Sequence, residues 1–421
     1  MDASRFVTSV KALATATHTR RAALRSVGLG SLAAGVLGAI GAPSSRAQDW
    51  TGATPTPGGT PAARSDDSFA GMTGGLPPFA MNLETSAPEV YPAGTRRWGS
   101  RRQLPVLQGA AIASERIEAH AVRELHWHLG AHELSYIVAG QGRMGVFSTD
   151  GTGDTFDVQP GSITFVPEGY THYIQNTGEE TLHLILAFTQ EQPGTMDLSQ
   201  ALPGFPQHLL AETFGVPDAD FPFLATRGDR SMVPLAAPPA QGEVGMATPV
   251  VAASSPYTIH TEQVAEQEFV GGGGSARPVS TKDIPLLQGI TLFTLHIVPH
   301  GLREPHWHPD TAELNYCVSG RGQIGLVAPD GSLQTFAIEP GTIGFMPSNW
   351  FHYIANVTDE PLEMLIFFTG PTAGGPQIDL SQTVGYFPPE VVAASFGVDP
   401  AAFAALPRRG NVFLAAPVAD D

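Results

Sequence analysis

Two sets of histidines and a glutamate recur in this chain at one fixed separation. In the first, His126 and His128 are followed by Glu133 and, past Gly161 and Pro167, by His172. In the second, His306 and His308 are followed by Glu313 and, past Gly341 and Pro347, by His352, so that adding 180 to each member of the first set gives the second. Three imidazoles and one carboxylate, with no thiolate, suit Mn(II) or Fe(II) and leave up to two positions of an octahedral ion open. A bidentate carboxylate or dioxygen needs such a pair of positions. A lone His-x-His more often braces a turn or lies on a surface, but four ligand types repeated at identical spacing point to two metal sites.

These side chains converge only if strands carry them. His126 and His128 alternate, so on a strand both rings leave one face and Trp127 leaves the other. Four residues then make a turn, and the next strand, Glu133 to Ala139, points Glu133, Ser135 and Ile137 inward; the counterparts are Glu313, Asn315 and Cys317. Pro160-Gly161 and Pro340-Gly341 are turn signals ahead of a further strand, after which the chain re-enters with His172 or His352. Gly 47 and Pro 37 in 421 residues are far above ordinary usage and argue for many short strands with tight connections.

The repeat extends beyond the ligands. Leu107-Gln108-Gly109 returns as Leu287-Gln288-Gly289, and Arg123-Glu124 as Arg303-Glu304. Asp197-Leu198-Ser199-Gln200 returns as Asp379-Leu380-Ser381-Gln382, now offset by 182. Pro206 to Phe214 and Pro388 to Phe396 read as short helices, opened by proline and closed by Gly215 and Gly397. The chain divides into a first repeat over 76–233, a Pro/Ala-rich linker over 234–255 and a second repeat over 256–421, beginning near Pro78-Phe79 and Pro256-Tyr257. Residues 48–75, rich in Pro, Thr and Gly, read as a tether.

Residues 1–47 read as an export signal: Arg20-Arg21 precedes a mildly apolar, Gly-rich run, with a small-residue cleavage point at Ala47. The paired arginines resemble a twin-arginine signal, which places the protein in the periplasm or outside the cell. No other segment is apolar enough to span a bilayer. The formal charge is −18, and −23 without residues 1–47, a surface that repels nucleic acid. The single cysteine, Cys317, excludes an intrachain disulfide and reads as a core residue. His120 and His300 read as structural, and His132 and His183, which have no histidine counterparts, as surface residues.

From Pro78 onward the chain resembles the two-domain (bicupin) form of the cupin superfamily. Arg123-Glu124-Leu125-His126-Trp127-His128 and Arg303-Glu304-Pro305-His306-Trp307-His308 are similar to the oxalate decarboxylase group. The resemblance implies an all-β chain: two tandem cupin barrels (double-stranded β-helix, jelly roll), each with one Mn ion, and short helical extensions that associate into a homo-oligomer. It implies that Arg123 and Arg303 hold the carboxylate of a small dicarboxylate such as oxalate, with dioxygen as co-reactant. On a regular strand Arg123 is out of phase with His126, so a local bend is expected there. The group's first-domain lid glutamate maps onto the segment Gln190 to Met196, whose one acid is Glu191, the expected proton donor. Its second-domain glutamate maps onto Ile366, with Glu363 on the opposite strand face. The implied function is splitting of oxalate into formate and CO2, with the first domain the catalytic one. An oxalate oxidase, an Fe(II) dioxygenase cupin and a non-catalytic metal-binding or storage bicupin are the alternatives.

Overall fold

The computed structural model describes residues 75–217, 221, 230–235, 252, 254–269, 271–370, 377–404, 406 and 415–417. The export signal, nearly all of the tether and most of the linker lie outside the described residues. Within them the chain forms two barrels, each a sandwich of two antiparallel sheets. In the first barrel a sheet built on Glu133–Ala139, Ser162–Val166, Leu182–Phe188, Ala111–Ile117 and Gly94–Gly99 faces one built on Ala121–Leu129, Thr171–Asn176, Gly142–Phe147 and Gly153–Val158. The second barrel repeats this with Glu313–Ser319, Thr342–Met346, Leu362–Phe368, Thr291–Ile297 and Gly274–Val279 against Gly301–Trp307, Phe351–Ala355, Gly322–Val327 and Leu333–Ile338.

Strand alternation divides the apolar residues among three cores. Ile137, Leu184, Leu186 and Phe188 fill the first barrel, and Cys317, Met364, Ile366 and Phe368 fill the second. Residues of opposite strand phase point the other way: Leu134, Ile185, Phe165, Leu314, Leu365 and Phe367 form a third core where the two barrels meet. A strand buried on both faces reads as a near-continuous apolar run, which is the pattern of Leu182–Phe188.

The barrels also exchange edge strands. Ala80–Asn82, at the start of the first repeat, pairs with Thr342–Met346 of the second barrel. Thr258–His260, at the start of the second, pairs with Ser162–Val166 of the first. Gly161 and Gly341, each at φ 87°, make the turns beside these additions. A Cβ on Gly161 would lie 2.9 Å from His260 Nε2 and one on Gly341 2.6 Å from Glu84 Cγ, so glycine is what lets the exchanged segments close down. The expected helices are present as Gln207–Phe214 and Pro389–Phe396, capped by left-handed Gly215 and Gly397.

His183 corrects the sequence reading. It is 6% exposed, in contact with Ser114 Oγ at 3.0 Å and with Glu84 Oε1 at 3.5 Å. Glu84 also accepts from Arg116 and from Tyr316 of the second barrel. The network ties the exchanged segment to both barrels. Lone histidines are invisible to a comparison of repeats, and this one lies where the repeats meet each other. His120 and His300 take left-handed φ of 56° and 58° in equivalent turns and face Glu179 and Asp359, a structural role as expected.

Candidate metal centres and the arginines beside them

In each barrel the predicted ligands come together, fully buried, with one donor atom from each within 4.8 Å of all the others: His126, His128, Glu133 and His172 in the first, His306, His308, Glu313 and His352 in the second. Two strands of one sheet, with His308 one residue past the end of its strand, supply the imidazoles and the facing sheet supplies the carboxylate. His126 sits opposite His172, and His306 opposite His352.

Backbone carbonyls fix which nitrogen faces inward. The Nδ1 of His126 donates to Glu124 O at 2.7 Å and that of His172 to Tyr170 O at 3.0 Å. His306 and His352 repeat this with Glu304 O and Trp350 O, both at 2.8 Å. A ring that donates through Nδ1 keeps a lone pair on Nε2, as a metal-binding imidazole must. Burial first, then the charges of Arg123 or Arg303 and of the neighbouring rings, holds His126 and His306 well below the ordinary histidine range, hence neutral. Burial would raise Glu133 and Glu313, but the surrounding histidines outweigh it, and both lie well below the ordinary carboxylate range. Neutral rings beside an ionised carboxylate are the protonation state a divalent cation requires. Among the described residues, His172 Nε2 and Glu313 Oε1 are buried with no hydrogen-bond partner, and a cation would satisfy both. The donor set therefore fits a bound divalent metal in each barrel.

The expected bend is present. His126 pairs with His172 but Arg123 with Ile174, so three residues of one strand oppose two of the other, and the second barrel repeats this between Arg303 and His306. This bulge turns Arg123 inward beside the histidines; it is 0% exposed. Neither arginine forms the rim pair with its neighbouring glutamate. Glu124 instead accepts from Ser199 N and Oγ, and Glu304 from Ser381 N and Oγ. Arg123 Nη2 donates to Asp197 at 2.7 Å, and Arg303 Nη1 to Asp379 at 3.1 Å. The repeated Asp-Leu-Ser-Gln motif thus supplies the partner of each buried arginine and of the glutamate beside it. Its recurrence signalled a role; only the fold shows which one.

Around this shared frame the two sites differ. In the first, Ser135 Oγ donates to Glu133 Oε1 at 2.8 Å and Thr195 Oγ1 lies 3.2 Å from His128 Nδ1. In the second, both amide atoms of buried Asn315 and the Nδ1 of His308 lack partners among the described residues. A small chamber there is lined by Arg303, His306, His308, Glu313, Gln377 and apolar residues that include Phe293, Leu295 and Ile366. Ile366 thus occupies the wall, as mapped, and Glu363 faces away to pair with His296.

Glu191, the expected proton donor, is engaged by two partners. One carboxylate oxygen is 2.9 Å from Arg101 Nη2 and the other accepts from Gly109 N at 3.0 Å. Backbone N–H groups, more than Arg101, hold it below the ordinary carboxylate range, so it rests ionised. A surface arginine and a loop N–H distant in sequence capture it, and neither is visible in the lid segment itself.

The cupin family matches residues 92–220 and 262–402, one span in each barrel. An oxalate decarboxylase of Bacillus subtilis is 29% identical over 271 residues, 63% of this chain and 69% of that protein. The structure of a Lactobacillus farciminis oxalate decarboxylase–formate complex superposes with TM-score 0.70 at 26% identity, covering 79% of this chain and 98% of that one. A Bacillus subtilis oxalate decarboxylase structure, from work assigning its Mn(II) centres, shares the fold with TM-score 0.69 at 24% identity, covering 80% of this chain and 89% of that one. With both barrels, both complete ligand sets and both matched spans in place, the chain belongs to the cupin family as a two-domain member.

Proposed function

We propose that this protein is an exported, manganese-dependent decarboxylase that splits oxalate into formate and CO2 in its first barrel. The observation that carries the reading is the buried arginine, bulged inward beside a complete three-histidine, one-glutamate set, in a chain similar along most of its length to oxalate decarboxylases. A bound Mn(II) would supply a redox-active Lewis acid with positions for a carboxylate and for dioxygen. The protein's own part is to bind and orient. His126, His128, Glu133 and His172 would hold the ion, and the Arg123 guanidinium, itself aligned by Asp197, would attract a small dianion into a protein of strongly negative net charge. Incubation of manganese-loaded protein with oxalate in air is expected to yield formate and CO2. Fully loaded protein that leaves oxalate unconsumed would overturn the proposal.

A second reading is an oxalate oxidase, which would consume the monoanion, dioxygen and a proton to give two CO2 and hydrogen peroxide. Apolar Ile366 favours it, because it offers no proton to carbon, and Glu191 is engaged by Arg101. The peroxide-to-formate ratio separates the two readings. Self-association is expected through the helical extensions, which expose Phe205, Leu209 and Phe214 in the first repeat and Tyr386, Val391 and Phe396 in the second; light scattering on the purified protein tests it. Export rests on the Arg20-Arg21 segment, and fractionation of cells carrying the Arg20→Lys, Arg21→Lys variant tests it.

A further inference from the structure

Glu115 breaks the repeat at a position where it matters. Residues 180 further on from Glu115 and from Arg96 are Leu295 and Ala276. On the strand Ala111–Ile117, Ala113 and Ile117 face the core of the first barrel, while Ser114 faces His183 at the junction of the barrels. By alternation Glu115 points inward, and its counterpart Leu295 lines the chamber beside His306, His308 and Glu313. Glu115 is 3% exposed. Across the ladder it faces Arg96 on one side and Leu184 on the other. Its Oε1 accepts from Arg96 Nε at 2.5 Å and lies 4.0 Å from Arg123 Nε. Its Oε2 and Arg123 Nε have no hydrogen-bond partner among the described residues.

We propose that Glu115 is the proton-transferring residue of the first barrel, acting on a small dicarboxylate beside Arg123. The proposal rests on the oxalate reading and gives the proton to a residue of the barrel wall in place of the loop residue Glu191. Glu115 Oε1 is taken by Arg96 while Oε2 has no partner among the described residues, so Oε2 is the atom placed to accept a proton. The O–H proton of the substrate monoanion passes to Glu115 Oε2. As the C–C bond breaks and CO2 leaves, the electron pair released onto the remaining carbon takes that proton back, forming the C–H bond of formate. Monoanion becomes formate and CO2, with no net proton or electron gained or lost. The charged groups around Glu115 are Arg96 and Arg123, with Asp197 behind Arg123 and Glu89 at 4.0 Å from Arg96.

An ion pair that merely braces the barrel is the competing account, and the chain contains its own control. The second barrel folds with alanine and leucine at these positions, so Arg96→Ala with Glu115→Leu removes the carboxylate without stranding the guanidinium. That double variant and Glu115→Gln are both expected to keep the wild-type metal content per chain. Both should lower formate production by at least about a hundredfold, with peroxide rising relative to formate in what turnover remains. Wild-type formate rates in either variant would overturn the assignment, as would a loss that only tracks lost metal. Calorimetry without dioxygen reads the step apart from turnover. At a pH where free oxalate is the dianion, wild type should take up one proton per oxalate bound and Glu115→Gln none. Equal uptake by both overturns the role of Glu115, whereas absence of formate from loaded wild type overturns the oxalate reading beneath it.

Discussion

The two barrels carry the same coordination frame in different walls. Both place three histidines and a glutamate at the meeting of two sheets, both bulge an arginine inward, and both secure that arginine with an aspartate. In the first barrel the surroundings are polar: Arg96 on Glu115, Ser135 on Glu133, Thr195 on His128. In the second, Ala276, Leu295 and Phe293 replace Arg96, Glu115 and Ala113. Holding a cation takes only the ligands and their carbonyl anchors, which both barrels keep. Moving a proton takes a titratable group beside the arginine, and of the two equivalent positions only that of Glu115 carries one, Leu295 standing at the other. If Glu115 moves the proton as proposed, turnover belongs to the first barrel, and the second holds its ion and stabilises the pair.

The sharpest break of that division is a pair of ligand variants. His126→Ala is expected to remove one of the two ions per chain and to lower formate production by more than about a thousandfold. His306→Ala should remove the other ion and leave at least about half the rate, a loss attributable to stability alone. Metal analysis beside a formate assay checks both; the reverse pattern would exchange the roles of the barrels. Removing both ions with a chelator probes what the frames share. His126 and His306 are kept neutral by burial, so below about 6.5 the unfolded chain binds protons that the folded chain refuses. The depressed carboxylates of Glu133 and Glu313 add stability that is present above the ordinary carboxylate pKa and lost as pH falls from there through their folded values. Metal-free protein should therefore melt at progressively lower temperature as pH drops below about 6.5, with a further fall below about 4.3. A melting temperature flat across that range would mean that the rings are not neutral in the fold.

Identity between the repeats made the ligands legible, because strand alternation alone fixes where His126, His128 and Glu133 point once the strands are granted. The bend at Arg123 was legible for the same reason: a three-residue spacing cannot keep phase without one, and the bulge supplies it. Glu115 was not legible, because a search for what recurs passes over what does not. Its replacement by leucine in the other half was present in the sequence, but its inward direction needs the strand ladder with Arg96. The exchange of Ala80–Asn82 and Thr258–His260 was equally hidden, since a short edge strand carries no signal of which barrel it will join. The capture of Glu191 by Arg101 and Gly109 depends on two partners about 80 to 90 residues away along the chain, and loop geometry of that kind is set by the packed sheets rather than by local pattern.

Smaller effects test the walls themselves. Ser135→Ala strips a hydrogen bond from a buried carboxylate and should cost about 1–3 kcal/mol in the first barrel. Asn315→Ser copies the first barrel into the second. It exchanges an amide with no partner among the described residues for a hydroxyl placed to reach Glu313 Oε1, and should leave stability unchanged or raise it. Denaturant unfolding of the two variants reads the sign, and a loss in both would mean that Asn315 is better satisfied than the first barrel's geometry implies. The smallest effect is expected at Glu191. Its partner Arg101 is half exposed, and such a pair contributes only about 0–1 kcal/mol in solvent. Glu191→Gln keeps the shape and one acceptor, so the melting temperature should barely move and the formate rate should stay within about twofold of wild type. A drop in formate as deep as that of Glu115→Gln, with metal content unchanged, would return the proton to the loop. The wall of the first barrel would then matter only as a brace, and its difference from the second would lose its chemical meaning.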